Sequence, residues 1–177
     1  MTGLQFRHLD AAGARARRDS IAAVYQDAYA ARIASGDPFA TPKAFMDRFD
    51  SHTGHASFDL VIAHADGEPV GQTWGYPLPP TIASWQDGDI ADDELVFALC
   101  EIMVRQAWAG QGIAHRLHDE LLSDRPERFA ELYVRPANAD AYRAYLRWGW
   151  QKVGQTRPDL PGAPVFDVLM LPLTPGE

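Results

Sequence analysis

Two glycines between an apolar strand and an amphipathic helix restrict the possible folds of this chain more than any other feature. The longest strand candidate covers residues 94–104, a helix candidate covers residues 112–123, and Gly110 and Gly112 lie at the junction. Apolar residues recur at helical spacing along one side of this helix: Ile113, Leu117 and Leu121. Such a helix packs on a sheet, and a strand–helix–strand crossover makes its two strands parallel. The sequence therefore predicts a sheet with a parallel pair.

The order of the other elements predicts an α+β fold with a mixed central sheet. The further strand candidates are residues 4–9, two strands of a hairpin within 58–78, 129–136, 151–156 and 165–173. The further helix candidates are residues 19–33, 42–49 and a helix that begins at Asn138 and is closed by Gly149. Two crossovers thus follow an antiparallel start. Because a domain typically takes about 100–200 residues, we expect a single domain over residues 1–177.

Composition excludes several function classes. The 24 acidic residues against 16 lysines and arginines give a net charge of −8, which argues against a nucleic-acid surface. No stretch approaches the roughly 20 apolar residues of a membrane span, and the first residues lack a signal-peptide core. The single cysteine, Cys100, excludes an internal disulfide and fits a reducing compartment, so we expect a cytoplasmic protein. The six histidines show no metal-ligand spacing with it, and no metal site is predicted.

The glycine turn itself is suited to binding a phosphate group. Its backbone N–H groups are not obstructed by side chains, and the first N–H groups of the helix are unpaired at the positive end of the helix dipole. A Walker loop would need Lys-Ser or Lys-Thr where this chain has Ile113 and Ala114. A dinucleotide fingerprint would need glycine at His115. A structural turn without a ligand remains open, because short glycine motifs are weak signals.

Two segments together resemble the GNAT superfamily of N-acetyltransferases. The family's motif A pattern, (Gln/Arg)-x-x-Gly-x-(Gly/Ala), falls on Ala109, Gly110, Gln111, Gly112, Ile113 and Ala114. The segment LYVRPANADAYRAYLRWGW resembles motif B through Asn138, Ala141, Tyr145, Gly149 and Trp150. Ala109 departs from the family, which usually has Arg or Gln there. We therefore hypothesise that Arg105, His115 or Arg116 supplies the missing positive charge.

The resemblance implies a fold and a cosubstrate. It implies a mixed sheet of about seven strands flanked by about four helices and splayed between the fourth and fifth strands. Acetyl-CoA would lie at that splay, with its diphosphate on the amides of residues 110–114. Its pantetheine arm would bond to the backbone of the fourth strand at Ile102, Met103 and Val104.

The resemblance also implies direct acyl transfer, which requires a proton acceptor and a proton donor. Glu101 is the candidate base, on the strand face that alternation assigns to Phe97, Leu99 and Met103. Its alternative is an ion pair with an arginine at the sheet edge. Tyr145 matches the family's general acid, although pattern alone makes it a core residue. Asn138 is an N-cap candidate that in the family also contacts the cofactor or nearby backbone.

The function expected from this resemblance is acetyl transfer from acetyl-CoA to a primary amine of a small molecule or peptide. The alternative is a non-catalytic acyl-CoA sensor, and a homodimer is possible. Trp74, Tyr76 and Trp85 either line the acceptor pocket or fill the core. The long connection 79–93 is typical of a lid, and acids at its end either attract an ammonium group or are simply solvated: Asp87, Asp89, Asp92, Asp93 and Glu94.

Overall fold

A computed structural model describes residues 3–82, 90, 91 and 93–174 of the chain. Seven strands form one mixed sheet: β1 (Gln5–Leu9), β2 (Asp59–Ala65), β3 (Glu68–Leu78), β4 (Val96–Val104), β5 (Phe129–Val134), β6 (Gln151–Thr156) and β7 (Phe166–Pro172). Their spatial order is β1-β2-β3-β4-β5-β7-β6. The predicted α+β fold with a mixed seven-stranded sheet is confirmed.

Six α-helices occur in the described residues, two more than the sequence predicted. They are α1 (Ala11–Arg15), α2 (Arg18–Ala28), α3 (Ala30–Ala34), α4 (Pro42–His52), α5 (Ile113–Leu122) and α6 (Ala139–Arg147). The predicted helix 19–33 is interrupted at Tyr29, whose backbone (φ −109°, ψ 19°) leaves the helical region. Helix α1 was not predicted because five residues are too few to show a helical period. None of the helices described here is long and apolar enough to cross a membrane.

The amino-terminal strands form an antiparallel meander, as the hairpin pattern predicted. Strand β1 pairs with β2, and β2 pairs with β3. Asp66 and Gly67 join β2 to β3 with φ angles of 50° and 84°. Positive φ at both central residues is the requirement of the hairpin turn that matches strand twist, which explains the Asp-Gly pair.

The parallel pairing of β4 with β5 is short. It consists of two residue pairs, Phe97 with Ala130 and Ala98 with Glu131, although the strands have nine and six residues. Both pairs lie at the start of the strands. A sheet that splays between its fourth and fifth strands requires that only a short stretch of the two strands is paired. Strand β7 then pairs antiparallel with both β5 and β6.

The chain divides into two compact units. The first unit comprises Met1–Tyr76 with Cys100–Ser123, and the second comprises Pro77–Leu99 with Asp124–Glu177. The first has an aromatic core in which Tyr25 stacks on Phe45 with ring centroids 3.7 Å apart, and Phe45 contacts Trp74. The second packs Val96, Phe129 and Met170 together.

Candidate active site

The glycine turn joins β4 to α5 with a backbone that glycine adopts easily. Gly110 and Gly112 have φ angles of 76° and 77°, in the left-handed region. A Cβ built on either residue would meet no described atom within 4 Å. Both positions therefore suit glycine through their backbone conformation rather than through close packing. The backbone on this side of the turn is open to a ligand.

The first amides of α5 lack the partners that helix interiors provide. Gly112 is the N-cap, and no side chain of the described residues caps the helix. The first intrahelical bond runs from the N–H of Arg116 to the carbonyl of Gly112 at 3.2 Å, so the preceding amides remain for other acceptors. The helix is held in place because its apolar side is buried, with Ile113, Leu117 and Leu121 at most 1% exposed. A rigid helix end with unpaired amides favours an anion.

Asp27, which the sequence analysis missed, supports the start of this turn. Its Oδ1 accepts a hydrogen bond from the N–H of Gln106 at 2.8 Å, and the Gln106 side chain donates to the Asp27 carbonyl at 2.8 Å. The guanidinium of Arg105 donates to the carbonyl of Pro69 at 2.8 Å and lies 3.5 Å from Asp27. Arg105, one of the three cations hypothesised to compensate for Ala109, is thus engaged in holding the backbone.

The other two cations lie on α5. His115 is 3.5 Å from Asp119, one helical turn later. Arg116 is exposed, and its guanidinium lies 4.8 Å from the ring centroid of Phe6. Arg116 thus keeps its charge at the surface of the first helical turn, where a phosphate would approach.

A possible metal-ligand group also occurs on α5, where the sequence analysis predicted none. Ligand atoms of His115, His118 and Asp119 lie within 4.8 Å of one another. The spacing of three and four residues accounts for this, because such residues share one helix face. His118 is buried, and burial lowers its pKa.

Glu101 lies in the first unit, paired with an arginine from a helix. Its side chain is 15% exposed, and its Oε1 is 3.5 Å from Nε of Arg48 in α4, itself 17% exposed. The ion pair with an arginine that the sequence analysis gave as the alternative is thus present, but not at the sheet edge, because β4 is a central strand. Burial raises the pKa of the Glu101 carboxyl, while the charges of Arg48 and Arg32 lower it in part.

Arg48 was not singled out from the sequence, because its contacts are distant along the chain. Its Nη1 donates to the carbonyl of Phe39 at 2.9 Å, and its guanidinium lies 4.4 Å from the Phe39 ring centroid. These contacts fix the guanidinium next to Glu101. No local pattern in α4 indicates them.

Cys100 lies next to Glu101 in β4. Strand alternation would place its side chain on the opposite face, and it is partly buried. It packs against the same core cluster that contains Met103. Alternation alone does not predict this, because a regular strand places residues 100 and 103 on opposite faces.

The predicted pantetheine-binding backbone lies beside a close strand contact. Met103 is buried, and Ile102 and Val104 are partly buried. A Cβ on Gly71 of β3 would lie 3.0 Å from the carbonyl oxygen of Met103 and 3.0 Å from the side chain of Leu117. Glycine at this position therefore lets β3 approach the end of β4.

Tyr145 and Asn138 lie in the second unit. Tyr145 is 9% exposed, and its ring makes edge contacts with the rings of Trp148 and Trp150 at centroid distances of 5.7 and 6.2 Å. Asn138 occupies the N-cap position of α6, but its side chain makes no capping hydrogen bond. Its backbone (φ −81°, ψ 66°) is not in the extended region from which N-cap side chains bond.

The remaining pocket candidates separate into core, surface and undescribed residues. Trp74 is fully buried, and its indole N–H donates to Nδ1 of His52 at 3.1 Å. Tyr76 is partly buried and stacks on the ring of His55. Glu94 forms two 2.7 Å hydrogen bonds with Arg128. Four of the predicted residues lie outside the described part of the chain: Trp85, Asp87, Asp89 and Asp92.

Comparison with known proteins gives one family and many similar structures. Residues 20–150 match the model of the acetyltransferase (GNAT) family. A GNAT-family acetyltransferase from Streptococcus agalactiae has 14% identity and a TM-score of 0.72, covering 98% of this chain and 97% of its own. No curated protein matches the sequence.

Two further solved structures have named activities. The ribosomal-protein-S18-alanine N-acetyltransferase from Escherichia coli has 17% identity and a TM-score of 0.66, covering 99% of this chain and 97% of its own. The diaminobutyrate acetyltransferase from Paenibacillus lautus, in complex with L-2,4-diaminobutyric acid and coenzyme A, has 16% identity and a TM-score of 0.62. The match covers 98% of this chain and 96% of the Paenibacillus lautus chain.

Proposed function

The chain belongs to the GNAT family of acetyltransferases, whose cosubstrate is acetyl-CoA, and we propose that it transfers the acetyl group directly to a primary amine of a small molecule or peptide. The open turn at Gly110 and Gly112 carries the proposal. Its backbone, with the unpaired amides of α5, offers donors and a positive helix end to the diphosphate of the cosubstrate. Ala109 brings no phosphate-binding side chain, so the backbone supplies most of the contacts.

Glu101 is proposed to accept the proton that the acceptor amine must lose. The neutral amine nitrogen attacks the thioester carbonyl carbon, the carbon–sulfur bond breaks and coenzyme A leaves as the thiolate, while the proton that the nitrogen loses as the amide forms passes to Glu101. Burial favours proton uptake because it raises the pKa of the carboxyl, and the charge of Arg48 lowers that pKa in part. Tyr145 is proposed to donate its phenolic proton to the thiolate.

The named relatives support an amine acceptor as a class. One acts on the alanine of a ribosomal protein, and another is bound to L-2,4-diaminobutyric acid. Their identity to this chain is at most 17%, so they suggest the reaction type and not the particular acceptor.

The test is thiol release from acetyl-CoA across a panel of amines, together with Tyr145→Phe. We expect turnover with at least one amine and a fall in kcat of about tenfold to a hundredfold in the variant, as expected when a proton donor is lost. Tyr142→Phe is the matched control on the same helix, because its hydroxyl donates to Asp167 at 2.7 Å. Coenzyme A binding without turnover on any amine would instead indicate the acyl-CoA sensor.

A further inference from the structure

Arg32 of α3 is partly buried and forms no ion pair with an acid among the described residues. In the part of the chain that the structure describes, no carboxylate lies within 4.0 Å of it. Its guanidinium carbon lies 5.6 Å from the ring centroid of Tyr29. Acidic residues outnumber lysines and arginines 24 to 16, so acids are not scarce in this chain. A partly dehydrated cation that forms no close ion pair favours an anionic ligand.

Arg32 shares its surroundings with the proposed base. The positive charge of Arg32 lowers the pKa of both Glu101 and Tyr29, two groups whose pKa burial otherwise raises. Tyr29 in turn stacks on Tyr25 with ring centroids 5.0 Å apart. The guanidinium of Arg32 thus acts electrostatically on the same carboxyl that is proposed to receive the amine proton.

Arg48, the other arginine whose charge acts on Glu101, already has partners of its own. Arg48 bonds to the Phe39 carbonyl, covers the Phe39 ring and pairs with Glu101. The charges of both arginines act on Glu101, while the ion pair with Glu101 is formed by Arg48. Such a group repels an acceptor that carries only ammonium charges and attracts one that also carries an anion.

We propose that Arg32 binds a carboxylate of the acceptor, so that the acceptor is an amine that also carries a carboxylate, as an amino acid does. The inference rests on the proposed function, because it identifies the substrate class of the same site. The amine lies toward Glu101 and the carboxylate toward Arg32. Arg32 then sets specificity and does not take part in proton transfer.

The experiment compares amines that differ only in the carboxylate. Glycine, β-alanine and 4-aminobutyrate, which vary the distance between the two groups, are each compared with the corresponding amide and with the decarboxylated amine. At least one acid should exceed its amide in kcat/KM by about tenfold or more, since a charge-assisted contact contributes that much. Arg32→Gln should abolish this preference by raising KM for the acid, with coenzyme A affinity within about twofold. Arg32→Lys should retain part of it.

Matched controls and a binding measurement separate the outcomes. Arg7→Gln changes an exposed arginine of β1 and should leave the preference intact. Calorimetric binding of the preferred acid to the coenzyme A complex should be lost in Arg32→Gln, which tests the contact without turnover. Turnover of amines with no preference for the acid, or a preference that survives in Arg32→Gln, overturns the inference while leaving the proposed function intact. No turnover of any amine overturns both.

Discussion

At the scale of single residues, Glu101 shows two opposing effects on one carboxyl group. Removal from water disfavours the charged form, while Arg48 at 3.5 Å favours it. Burial is the larger effect, so the pKa rises. A base needs this balance: it must be ionised before the amine arrives and must still take up a proton.

Glu101→Gln should lower kcat/KM by about a hundredfold, the scale of a lost general base. In the wild type, activity should fall as pH decreases through the raised pKa of Glu101, because the protonated carboxyl accepts no proton. The midpoint of this fall in activity, the acidic limb of the pH profile, should lie above the ordinary glutamate pKa of about 4.3. The variant should show no such fall. The measurement is the pH dependence of kcat/KM for both proteins.

Glu94→Gln is the matched control for that profile. Glu94 pairs with Arg128, and this hydrogen-bonded partner lowers its pKa. The control should keep both the rate and the acidic limb. A Glu101→Gln enzyme with the wild-type rate and limb would exclude Glu101 as the base.

His52 should make the protein less stable as pH falls from about 6.5 to about 4. Burial, with the charges of Arg48 and His55, lowers the pKa of His52 to about 4, and its Nδ1 accepts from Trp74. In this window the unfolded chain takes up a proton that the folded protein refuses, so the free energy of unfolding decreases by up to about 3 kcal/mol. His52→Asn keeps an acceptor and does not titrate, so urea unfolding should show a weaker pH dependence. Equal pH dependence in both proteins would contradict this assignment.

At the scale of the elements, the glycine turn depends on how tightly β3, β4 and α5 pack behind it. The sequence predicted the hairpin, the long strand and α5 because their periodicities and turn residues are local. It did not predict that Asp27 supports Gln106 or that Arg48 meets Glu101. These partners are far apart along the chain and follow only from the packed structure.

Gly71→Ala should destabilise the protein by about 1–3 kcal/mol, the usual cost of overpacking. The added Cβ would lie 3.0 Å from the Met103 carbonyl and 3.0 Å from Leu117, and the backbone carbonyl cannot move aside freely. Chemical denaturation measures the change. Gly3→Ala, where a Cβ meets no described atom within 4 Å, should stay within about 0.5 kcal/mol of wild type. Equal stability of Gly71→Ala and wild type would show that β3 does not need this approach.

At the scale of the whole molecule, the cosubstrate could be predicted from the sequence and the acceptor could not. Solved structures with 14–17% identity cover nearly the whole chain, so the fold persists while most side chains differ. The turn that is proposed to bind the diphosphate uses backbone amides, and its glycines are visible in the sequence. The acceptor side is proposed to use side chains such as Arg32 and Glu101, which only the fold brings into one neighbourhood with Arg48.

Calorimetric titration with coenzyme A and with pantetheine, which lacks the diphosphate, tests most directly whether the turn binds that group. We expect saturable binding of coenzyme A to the folded protein and binding of pantetheine weaker by at least about a hundredfold, because several charge-assisted hydrogen bonds are lost. Equal affinity for the two compounds, or no heat with millimolar coenzyme A, would contradict the central claim.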